Sequence, residues 1–256
     1  MDNNLIARGN DNQAARSLDD EWRLMNKALA KIGLSERAKP LPARRSGRLI
    51  VALDLTASRE ASLKHARIAT AAMFDAIKML GAIQVQLVYY RGVNECRASQ
   101  WHSDPGVLSG MMRKLSCETG ATQIARTLRL ALAEKQKVSG VVFVGDHCEE
   151  NADELIGLAK ELRKRAMPLF IFHECADWDQ NSLKTKPVFK GMAEASGGIY
   201  SEFKPDSGTV LREVLSSVAA FSTAGHEGLK QVAPPVTAEG RLLQKNLLLL
   251  PPPEGK

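Results

Sequence analysis

From Leu49 onward the chain alternates two kinds of apolar pattern, and this alternation restricts its fold more than any other feature. The runs "RLIVALD", "AIQVQLVYY", "SGVVFVGD" and "MPLFIFHE" are continuously apolar, as strands covered on both faces must be. Between them, "SLKHARIATAAMFDAIKML", "TQIARTLRLALAEKQ" and "ADELIGLAKELRKRA" repeat apolar residues at helical spacing. "KPVFKGMAEASGG" has a proline near its first turn and glycines past its end, as a helix should. "ECRASQWHS" and "GIYSEF" read as short strands, and "PGVLSGMMRKLS" and "GTVLREVLSSVAAF" as further helices. The expectation is an α/β fold: a doubly wound, mostly parallel six-stranded sheet with helices on both faces, Rossmann-like in plan.

Three segments are expected. Residues 1–46 form an amino-terminal extension: a polar, Asn-rich start, then a capped amphipathic helix carrying Trp22, Met25, Leu29 and Ile32, then the linker "KPLPARRSGR". Residues 47–221 form the α/β domain. Residues 222–256 form a leucine- and proline-rich tail, whose cluster "RLLQKNLLLLPPPEGK" packs on its own chain, docks a partner or stays disordered.

Composition narrows the class. Lys and Arg exceed Asp and Glu by 35 to 29, giving +6. They are scattered among acids, and aromatics make up only 5%, so the basic and aromatic stripe of a single-strand nucleic-acid binder is missing. The four cysteines (Cys96, Cys117, Cys148, Cys175) are too dispersed for a disulfide scaffold, and the amino terminus does not resemble a signal peptide. No apolar stretch approaches the roughly 20 residues of a membrane helix. The expected home is the cytoplasm, without membrane insertion.

In an open parallel sheet, ligands gather at the carboxyl ends of the strands, where strand order reverses. "VALDLTASRE" ends a buried strand in Asp54, then places hydroxyls at Thr56 and Ser58; "VVFVGD" ends in Asp146. Thr122, in "ETGATQIARTLRLAL", lies in a glycine-supported loop that leads straight into a helix. Two carboxylates and three neutral hydroxyls suit a hard divalent cation, which takes oxygen ligands and, as magnesium, only one or two carboxylates. Mg2+ is the expected ion, with Mn2+ or Ca2+ as substitutes. Incomplete neutralisation would leave the site attractive to an external Asp or Glu carboxylate.

With these residues in place, the chain resembles a von Willebrand factor A domain with a metal-ion-dependent adhesion site. The family's Asp-x-Ser-x-Ser stands here as Asp54, Leu55, Thr56, Ala57, Ser58; its threonine matches Thr122, and its Asp-Gly matches Asp146. "FKGMAEASGGIYSEF" is similar to the helix and strand that end many such domains, and the likeness covers roughly 47–221. One departure is His147 where the family has glycine. The resemblance implies an intracellular protein-binding adaptor rather than an enzyme, one that engages an acidic side chain of its partner and works beside an AAA-type ATPase.

Alternatives stay open. Asp54, Thr56 and Ser58 could simply cap the following helix. His147, Cys148, His173 and Cys175 follow two adjacent strands and could support the site or hold a softer metal. Glu149 and Glu150 read as the solvated first turn of the next helix. Among enzymes, no G-x-G-x-x-G, phosphate-binding loop or G-x-S-x-G occurs. A metal-dependent hydrolase with His147 as base lacks an identified orienting partner for the imidazole. A nucleic-acid-associated protein is the remaining alternative.

Overall fold

The computed structural model describes residues 47–59, 83–175, 179–202 and 208–250. The expected helices over 17–32 and 62–80, the linker before Gly47 and the closing prolines lie outside the described residues. The chain divides into Met1–Lys39 and Pro40–Lys256, and everything described belongs to the second unit.

The strands are β1 (Gly47–Asp54), β2 (Ile83–Arg91), β3 (Glu95–Ala98), β4 (Gly140–Gly145), β5 (Leu169–His173) and β6 (Tyr200–Glu202). The described helices are α1 (Pro105–Lys114), α2 (Ile124–Ala133), α3 (Ala152–Lys164), α4 (Gln180–Ser196), α5 (Gly208–Gln231) and α6 (Ala238–Leu248). The sheet runs β3-β2-β1-β4-β5-β6, parallel throughout except for the antiparallel edge strand β3. Strand order reverses between β1 and β4, which are paired from Leu49↔Gly140 to Leu53↔Val144. Asp54 and Asp146 therefore leave the sheet side by side, at the crevice where such folds bind ligands.

The unbroken apolar runs are explained by two cores. Along β1, Leu49, Val51 and Leu53 face one cluster with Met112, Val214 and Val218, while Ile50 and Ala52 face the other with Leu128, Leu155 and Phe189. Alternate side chains point to opposite faces, so helices on both faces leave no polar position in the central strands. The doubly wound expectation is met.

Two boundaries differ from the sequence pattern. Helix α4 starts at Gln180 with Asp179 as cap, and Pro187 lies inside the helix rather than in its first turn. Helix α5 runs past Phe221 to Gln231, with a kink at Gly225, whose φ of 59° and ψ of −140° suit glycine. Helix α6 then packs on α5, and Leu243 and Leu247 enter the same cluster as Val214, Val218 and Phe221. Packing thus continues beyond the expected boundary at 222, because amphipathic α6 covers the same face of the sheet.

Candidate functional site

Asp54 is fully buried at the end of β1. Its Oδ1 accepts the Thr56 amide at 2.8 Å, the local Asx geometry that turns the chain away from the sheet. Its Oδ2 accepts the Tyr90 hydroxyl at 2.8 Å, a donor brought from β2. The Thr56 and Ser58 hydroxyls lie 3.1 Å apart, with Thr56 buried and Ser58 exposed. The first-motif side chains thus run from the protein interior to solvent.

The loop before α2 is fastened to this turn. The Leu55 amide donates to the Tyr90 carbonyl (2.9 Å), and the Glu118 amide donates to the Leu55 carbonyl (3.0 Å). Gly120 meets the β2–β3 turn so closely that a Cβ there would lie 1.9 Å from the Gly92 carbonyl oxygen. Only glycine fits this approach, which fixes the entry to Thr122.

The third segment, Asp146–Asn151, joins the other two. Thr122 Oγ1 accepts the Glu149 amide at 3.2 Å, and the Thr122 amide donates to Glu149 Oε2 at 3.4 Å. Glu150 Oε1 and Oε2 accept the Ile124 and Ala125 amides at 2.5 and 2.8 Å. Gln123 makes no side-chain cap for α2, so Glu150 supplies it from another loop. Glu149 and Glu150 are therefore not a solvated first turn: α3 is capped by Asn151, and both acids hold the Thr122 loop in place.

Asp146 is 8% exposed, and its Oδ1 is buried without a hydrogen-bond partner. Such a group costs about 1–3 kcal/mol, and more when charged, so its persistence points to a ligand. Asp146 Oδ2 lies 3.7 Å from His147 Nδ1, and His147 Nε2 is hydrogen-bonded to Asp179 Oδ2 at 2.5 Å. Burial pulls the His147 pKa down, but the Asp179 hydrogen bond and the charges of Asp146, Asp179 and Asp54 outweigh it, so the net shift is upward. The hydrogen bond from His147 holds the Asp179 carboxyl below its ordinary range. Asp179 is the orienting partner for His147 that sequence reasoning missed; the local signal was an Asp in cap position before "QNS". The bulk of His147 is accommodated without strain, since among the described non-glycine residues only Ala166 has a positive φ.

Three of the four residues of the soft-metal alternative have other side-chain partners. His173 is fully buried, and its Nε2 donates to the Asp146 carbonyl at 2.9 Å, which leaves Nδ1 to accept the Tyr200 hydroxyl at 2.9 Å. Burial lowers its pKa, so the ring is held neutral as a structural link. The Cys148 thiol turns to the Glu150 carbonyl at 3.8 Å, and burial raises its pKa. The Cys175 amide bonds to the His173 carbonyl. Among the described residues no group of three or more His, Cys, Asp or Glu side chains is arranged to hold a metal ion.

No protein-family profile and no curated protein sequence matches this chain. Solved structures do. An aerotolerance-related membrane protein from Bacteroides fragilis is 14% identical with a TM-score of 0.54, over 67% of this chain and 98% of that one. A von Willebrand factor type A protein from Catenulispora acidiphila is 15% identical with a TM-score of 0.54, over 69% and 43%. Proximal thread matrix protein 1 from the mussel byssus, with a zinc-occupied metal-ion-dependent adhesion motif, is 14% identical with a TM-score of 0.51, over 69% and 46%. This chain spans less than half the length of the latter two. Among the described residues no helix is long and apolar enough to cross a membrane.

Proposed function

Starting from the von Willebrand factor A fold of this chain, we propose that it binds a divalent cation at the β1/β4 crevice and through it a carboxylate of a protein partner. Thr56, Ser58 and Thr122 are the direct or near-direct ligands in this reading; Asp54 and Asp146 hold coordinated waters or the ion itself. The observation that carries it is Asp146 Oδ1, a buried carboxylate oxygen without a hydrogen-bond partner. The residues fit the ion. Asp54 spends both oxygens on Thr56 and Tyr90, which suits an outer role, whereas the exposed Ser58 hydroxyl faces solvent, where a partner arrives. An all-oxygen set with two acids favours Mg2+, with Mn2+ or Ca2+ as substitutes. Neutral hydroxyls leave positive charge for the partner's Asp or Glu.

We assign the role to an intracellular adaptor, placed in the cytoplasm, with an AAA-type ATPase as companion on family likeness alone. The test is calorimetric titration of Mg2+ into EDTA-stripped protein, followed by partner capture with and without the ion. Uptake by the wild type and loss of capture in a folded Asp54→Ala protein are expected. Absence of any uptake of Mg2+, Mn2+ or Ca2+ refutes the reading. The His147–Asp179 pair favours one alternative, metal-assisted hydrolysis, for which EDTA-sensitive turnover of a generic phosphoester would be the mark.

A further inference from the structure

His147 follows Asp146 directly at the candidate cation site. Its ring spans two elements. Nδ1 faces Asp146 Oδ2 at 3.7 Å, and Nε2 bonds to Asp179 Oδ2 at 2.5 Å. The other oxygen of Asp179, Oδ1, accepts the Asn181 amide at 3.0 Å and so caps α4. One carboxylate thus grips the imidazole and the start of a helix at once.

The same helix holds the loop on either side of His147. The Cys148 amide donates to Thr185 Oγ1 at 2.9 Å. Ser182 Oγ lies 3.1 Å from His173 Nε2, the atom that also fixes the Asp146 carbonyl. Ser182 and Thr185 are buried polar residues in the first two turns of α4, and both are spent on this junction. The backbone of the loop is therefore anchored with or without His147. The Asp146 carboxylate is not: within the loop, only the imidazole lies against it, and on the Oδ2 side, which leaves Oδ1 unpartnered.

We propose that His147 and Asp179 form a latch that positions the Asp146 carboxylate for the cation, with α4 as its platform. The inference rests on the metal reading above and concerns residues outside the ligand set. Groups that hydrogen-bond a metal ligand typically change metal affinity about 10–100-fold when removed; the 3.7 Å approach of His147 to Asp146 is a charge contact, worth a few-fold. Here the orientation would come from the imidazole edge, itself locked by Asp179, so the two residues act as one unit and their losses should not add.

The experiment is calorimetric titration of Mg2+ into the full-length wild type, His147→Gly, Asp179→Asn and the double variant, with hydrogen exchange of the metal-free proteins alongside. Asn caps a helix as well as Asp does, so Asp179→Asn keeps α4 while loosening the latch. Each single variant should bind Mg2+ about 2- to 5-fold more weakly, the double no more weakly than either. The Asp146–Asn151 amides should exchange faster while those of β4 and α4 stay protected. A merely structural role would lower thermal stability and leave the affinity of the folded protein unchanged. Variants that bind Mg2+ as tightly as the wild type, or a double variant whose loss is the sum of the singles, overturn the latch and leave the metal reading standing. A wild type that takes up no ion removes both.

Discussion

Replacing Asp146 with alanine should stabilise the metal-free protein while abolishing its response to metal. The side chain keeps one buried oxygen without a partner, at a cost of about 1–3 kcal/mol. Against that gain stands the attraction to His147 at 3.7 Å, a partly exposed pair worth at most about 1 kcal/mol. The Asp146 carbonyl is untouched by the change, so its bond to His173 persists. With the pair at its upper value the net expectation is a gain of up to about 2 kcal/mol in EDTA, which for a domain of this size corresponds to a rise of up to about 8 °C in Tm. With Mg2+ at 100 times its Kd the wild type should gain about 2.7 kcal/mol and the variant nothing, so the order of the two melting temperatures reverses. Thermal melts of both proteins, in EDTA and in Mg2+, measure all four values. An alanine variant that melts lower than the wild type in EDTA would refute the reasoning, since Asp146 would then be stabilising the empty fold rather than waiting for a ligand.

Glu150→Ala removes the cap that α2 receives from the neighbouring loop; a loss of about 0.5–2 kcal/mol in denaturant stability is expected, with faster exchange confined to the Ile124 and Ala125 amides and the Thr122 loop. Unchanged exchange there would show that Glu150 is a surface acid after all. For pH, the folded-state value of His173 lies below its unfolded value, so the unfolded chain takes up the proton first. The stability from neutral His173 is therefore present above the ordinary imidazole value near ~6.5 and lost as pH falls through the lower folded value. His147, shifted upward, acts in the opposite sense: its contribution is present below that ordinary value and lost as pH rises through the folded one. Denaturation of metal-free protein between about pH 7 and 5 should show an acid limb that His173→Gln flattens; a variant with the wild-type slope would show that His173 is not the group responsible.

Much of the architecture was legible in the pattern. Runs such as "VVFVG" have no polar position because helices cover both faces, and this burial is written residue by residue into the composition of the strand. The edge strand β3 was visible only as the short stretch "ECRASQWHS"; its antiparallel direction follows from the tight Gly92 turn after β2. The start of α4 was misplaced because Pro187 reads as a first-turn residue, whereas the helix tolerates it inside and takes its cap from Asp179. The likeness to solved von Willebrand factor A structures covers about two thirds of the chain, and the core also takes in Leu243 and Leu247 from the expected tail.

The site divides along the same line. Asp54, Thr56, Ser58, Thr122 and Asp146 could be picked out as candidates because strand ends and helix starts announce themselves through local chemistry. Their supports could not: Tyr90 reaches Asp54 across 36 residues, Glu150 reaches α2 across 26, and Asp179 reaches His147 across 32. Nothing local distinguishes Glu150 from a solvated acid, or His173 from a metal ligand, until the strand order is known. Composition and periodicity determined which side chains could stand at the ends of the strands. Tertiary structure alone decided which of them became partners, because hydrogen-bond reach is a few ångströms in space and takes no account of distance along the chain.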